Sequence, residues 1–73
     1  MMSKVLKTYN FAKSLEAEVL HKNNAKSEKT IRKMHKLKSQ LENIQVYDEM
    51  DITTYANARG IYQKLLDRLK RLS

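Results

Sequence analysis

The stretch YANARGIYQKLLDRLKRL, residues 55–72, carries the strongest structural signal in the chain. Tyr55, Ala58, Tyr62, Leu65, Leu69 and Leu72 follow one another at spacings of 3, 4, 3, 4 and 3. A helix returns to the same side at such intervals, so water drives these side chains onto a single face. The spacing predicts a helix over about 53–72 that carries the seam of a helical bundle or coiled coil. Ile61 and Leu66 flank the seam and widen the apolar face. Ala58 is small among large tyrosines, which suits a close approach by a neighbouring helix. Gly60 projects away from the seam, where glycine costs about 1 kcal/mol relative to alanine. Two readings fit it: a tolerated weak point, or a place where the backbone of a partner comes close.

Two further periodic segments lie upstream. Ile31, Met34, Leu37, Leu41 and Ile44 are spaced 3, 3, 4 and 3 and predict a helix over about 27–46. Ser27 stands where an N-cap belongs, and Glu28 in the first turn suits the positive end of the helix dipole. Val5, Tyr9, Ala12, Leu15 and Val19 predict a helix over about 3–21, with Leu6 and Leu20 broadening its stripe. The run HKNNAK, residues 21–26, separates these two helices, because adjacent asparagines compete for backbone hydrogen bonds. A short loop is expected at about 47–52, with Asp51 and Thr53 as alternative caps for the third helix.

The fold class is therefore all-α over a single helical domain, residues 1–73. Either the three helices form an up-down-up bundle, or the last two form a long antiparallel helical hairpin with a packed N-terminal helix. Proline is absent and glycine occurs once, which argues against a sheet protein with its frequent turns. A chain of 73 residues is near the lower limit for a self-sufficient core, and without cysteine no disulfide can reinforce it. Sharing a core with a second copy is the expected remedy, so the chain is read as a homodimer.

The formal charge of +7 is unevenly placed. An acidic belt of Glu42, Asp48, Glu49 and Asp51 separates a basic N-terminal region from a basic C-terminal one. Lys29, Arg32, Lys33 and Lys36 group opposite the apolar stripe of the second helix. They are candidates for contact with nucleic-acid phosphates or an acidic partner. Lysine predominates over arginine, which argues against base reading. A solvated lysine face that keeps the protein soluble is the plainer explanation. Phe11 lies outside the stripe of the first helix and Tyr47 beyond that of the second. Both are candidates for a protein interface, or alternatively for closing the ends of the core.

Catalytic equipment is missing from the sequence. His21 and His35 fall in different elements, there is no cysteine nucleophile, and no glycine-rich phosphate loop exists. Glu16 and Glu18, two residues apart, project to different faces of one helix. No enzyme activity, cofactor, metal or small-molecule substrate is expected. No apolar run is long enough for a signal peptide or a membrane span, so a cytoplasmic location is expected. The composition favours an interaction or regulatory protein that binds a macromolecular partner as a homodimer. A nucleic-acid-binding accessory protein is the alternative.

Overall fold

A computed structural model describes residues 3–21, 27–46 and 48–71. They form α1 (Lys4–His21), α2 (Glu28–Glu42) and α3 (Glu49–Arg71). The helices run up, down and up. Lys33 near the start of α2 reaches Glu18 near the end of α1, and Tyr55 near the start of α3 bonds Leu41 at the end of α2. Glu16 and Lys64, both in C-terminal halves, pair across α1 and α3, so those two helices are parallel. All three helices pack on one another within one chain, with α1 against α3 as the most extensive contact. The bundle, and not a hairpin whose first helix docks elsewhere, is the observed arrangement.

Each helix starts where a short polar side chain can serve its free amides. Ser3 Oγ accepts from the Leu6 amide at 3.1 Å. Ser27 Oγ accepts from the Thr30 amide at 3.1 Å and donates to Thr30 Oγ1 at 2.9 Å. Asp48 Oδ1 accepts from the Met50 amide at 3.0 Å. The third helix therefore begins at Glu49, ahead of the start near Thr53 that was expected. Asp48, and neither Asp51 nor Thr53, supplies the cap. Helix α2 in turn ends at Glu42, not near Val46. The Asn43 amide bonds the carbonyls of Ser39 and Gln40, and its side-chain Nδ2 donates to the Ser39 carbonyl at 2.9 Å. An asparagine that occupies the last carbonyls in this way stops the helix.

The core joins Ala12, Leu15 and Val19 of α1 to Met34, Leu37 and Leu41 of α2 and to Ala58 and Leu65 of α3. Leu15, Leu37 and Leu65 are fully buried within one chain. Ala12 and Ala58 are the small buried residues on the two helices in most extensive contact, as expected of closely approaching backbones.

One expected core position is displaced. Ile31 is 43% exposed, whereas its neighbour Thr30 is completely buried. The buried row of α2 is thus Thr30, Met34, Leu37 and Leu41, rotated slightly from the apolar stripe in the sequence. Thr30 tolerates burial because the capping serine donates a hydrogen bond to its hydroxyl. Leu6, expected to broaden the stripe of α1, is 40% exposed, and buried Thr8 takes a place in that helix's inner row.

Candidate interaction surfaces

Two acids on α1 link it to its neighbours in opposite directions. Glu18 Oε2 accepts from Lys33 Nζ of α2 at 2.7 Å. Glu16 Oε2 meets Lys64 Nζ of α3, and its other oxygen lies 3.6 Å from Lys13 Nζ. A separation of two residues turns side chains by about 200° on a helix, so the expected divergence of these acids is what serves two interfaces. The hydrogen bond from Lys64 holds the Glu16 carboxyl below its ordinary range. Partial burial opposes this, and the charges of Lys64 and Lys13 reinforce it.

Lys29, Arg32, Lys33 and Lys36 line one shallow groove together with Glu28. The sequence expectation that these four share a side of α2 corresponds to this placement. Most of them, however, are engaged within the chain. Arg32 Nη2 bonds Glu28 Oε1 at 2.6 Å, Lys33 is held by Glu18, and Lys36 Nζ lies 5.3 Å from the centroid of the Phe11 ring. A cation already paired offers a phosphate less than its full charge, and Lys33 bridges two helices. The row is thus partly structural.

Phe11 is half-buried and packs against the core cluster, with Lys36 over its ring. Its ring thus lies at the edge of the core, between α1 and the Lys36 side chain of α2. Tyr47, the other candidate, lies outside the described residues, as do Lys26 and Leu72.

The most exposed large hydrophobics were not singled out by periodicity. Met50 is 79% exposed and Ile52 is 53% exposed, both at the start of α3. Acids surround them: Asp48 at the cap, with Glu49 and Asp51 in the first turn. Their signal was available in the sequence as apolar residues between acids, but the expected loop at 47–52 hid it. A groove between α2 and α3 starts nearby, with Lys38 and Glu42 on one side and Tyr55, Arg59 and Tyr62 on the other. Tyr55 Oη donates to the Leu41 carbonyl at 2.9 Å, which fixes its ring, and the Arg59 guanidinium lies 5.9 Å from that ring's centroid.

Among the described residues, no group of His, Cys, Asp and Glu is placed to hold a metal ion. No described helix is long and apolar enough to cross a membrane. No protein-family model, curated protein or solved structure matches this chain.

Proposed function

We propose that this chain is a small helical interaction protein that binds a macromolecular partner and works as a homodimer in the cytoplasm. The observation that carries this reading is the contrast between a sealed core and large apolar side chains left in water. Leu15, Leu37 and Leu65 are fully covered by one chain, yet Ile31, Met50 and Ile52 remain 43%, 79% and 53% exposed. Fully burying such a side chain is worth about 1.5–3 kcal/mol, so much of that gain is still available to association. Tyrosines along the neighbouring groove suit an interface because they cover area at small rotamer cost. The cysteine-free sequence lacks the disulfide framework on which small secreted domains commonly rely.

Phosphate binding through Lys29, Arg32, Lys33 and Lys36 is the second reading, favoured by the groove they share and weakened by their bonds within the chain. Sedimentation equilibrium from micromolar to near-millimolar protein tests the first reading. Reversible self-association is expected, and a folded monomer throughout that range overturns the homodimer. A parallel titration with short duplex DNA at two salt concentrations tests the second. Binding that falls steeply with salt, and is lost in Lys29→Glu/Lys36→Glu, would replace the protein-interaction reading with the nucleic-acid one. Lys33 is left intact in that variant because it also fastens α2 to α1.

A further inference from the structure

Helix α3 carries a second row beside the one that faces its core. Ile52, Tyr55, Arg59, Tyr62, Leu66 and Leu69 are spaced 3, 4, 3, 4 and 3. Tyr55, Tyr62, Leu66 and Leu69 are half-buried at the edge of the core, while Ile52 and Arg59 are exposed. This row looks out along the α2 side of α3, beside the groove that holds Lys38 and Glu42. It is a two-position heptad seam whose members Ile52 and Arg59 stand exposed.

We propose that this seam is the docking surface for a second copy of the chain, with α3 lying antiparallel to the partner's α3. The proposal rests on the self-association reading above and assigns it a geometry. Two independent features choose the same register. In an antiparallel pair, seam residues of one type face those of the other. Ile52 then falls opposite the partner's Leu69, Tyr55 opposite the partner's Leu66, and Arg59 opposite the partner's Tyr62. Each apolar member gains an apolar or aromatic counterpart, and each arginine gains an aromatic face. A single polar residue in such a seam also disfavours slipped registers.

The charges give the second argument. Helix α3 has Glu49 and Asp51 in its first turn and Arg68, Lys70 and Arg71 in its last. The register set by the seam places Glu49 on the same side of the pair as the partner's Lys70 and within a turn of it, with the partner's Arg71 beside it. The two-fold symmetry repeats this at the other end. A parallel pair would instead set acids beside acids and bases beside bases. Antiparallel helix dipoles add to the preference. Exposed ion pairs of this kind contribute more to orientation than to affinity, so the seam residues supply the affinity.

The test uses the whole chain in sedimentation equilibrium, with circular dichroism on every variant. Ile52→Lys is expected to weaken dimerisation by roughly tenfold or more, since it puts a charge into an apolar seam. Glu49→Lys/Asp51→Lys should weaken it comparably, and adding Lys70→Glu/Arg71→Glu to the same chain should restore it. Orientation is read directly, because the chain has no cysteine of its own. Oxidising a mixture of Ile52→Cys and Leu69→Cys chains should give the mixed disulfide. Ile52→Cys alone should give little. A dimer of the unaltered chain that survives both Ile52→Lys and the charge reversal overturns the seam while leaving self-association standing. Efficient Ile52→Cys self-crosslinking overturns the antiparallel orientation. An unaltered chain that stays monomeric overturns both.

Discussion

Replacing Gly60 by alanine should stabilise this protein, and the size of the effect can be worked from its surroundings. Gly60 lies in the interior of α3, and a Cβ built there meets nothing within 4 Å. Steric cost is therefore absent. What remains is the backbone freedom that glycine must surrender on entering a helix, about 0.5–1 kcal/mol relative to alanine. Unfolding entropy near 60 °C is about 2.1 cal/mol/K per residue, so this chain should unfold with about 0.15 kcal/mol/K. The substitution should then raise Tm by about 3–6 °C. Thermal denaturation followed by circular dichroism measures it, at several protein concentrations so that association is separated from monomer stability. A Tm that falls or stays level would refute the reasoning. Gly60 also lies on the far side of α3 from the Ile52–Leu69 row, so dimer affinity should not change. A variant that melts later but no longer dimerises would place a partner backbone against Gly60, which is the other reading the sequence left open.

Three other perturbations probe the framework. Leu37→Ala removes a completely buried side chain from α2 and should cost about 2–5 kcal/mol, read as a large drop in urea midpoint; a loss below 1 kcal/mol would mean that the core does not close around it. Ser27→Ala should cost about 1 kcal/mol, because it removes the cap of α2 and the partner of the buried Thr30 hydroxyl; Ser27→Asp should recover most of it. Glu16 has its folded-state pKa depressed, so its contribution is fully present above the ordinary value of 4.5 and is lost as pH falls through the lower folded value. Glu16→Gln should accordingly lose stability at neutral pH, with the gap to the unaltered chain closing under acid. Urea titrations at neutral and strongly acidic pH check this, and a gap independent of pH would remove Glu16 from the acid response.

The helices and their inward faces were legible because apolar spacing records the dominant force directly. Val5, Ala12, Leu15, Val19, Leu37, Ala58 and Leu65 are all buried where the periodicity places them. Capping chemistry was legible at Ser27, whose hydroxyl has an amide three residues on to serve. The misplacements have local causes. Thr30 and Ile31 are adjacent, and hydrophobicity alone favours the isoleucine. The hydrogen bond from Ser27 lets the threonine go inside instead. At the second connection, several acids and a threonine offered competing caps, and Asp48 prevailed, which lengthened α3. The basic row of α2 was legible as a grouping but not as a set of bonds. That Lys33 reaches Glu18 depends on how two helices are juxtaposed, which no spacing within one of them encodes.

The most extensive contact in the bundle joins α1, made before the other two helices, to α3, made after them. With only α1 and α2 synthesised, the side of α1 that receives Ala58 and Leu65 has nothing to cover it. Helical hairpins ordinarily fold quickly from local contacts, but here the decisive partner arrives after a detour through the whole middle of the chain. Folding during translation should thus be held back until α3 clears the exit tunnel. A fragment ending at Glu42 should be degraded rapidly by protease under conditions in which the intact chain survives; a resistant fragment would show that the first two helices already suffice.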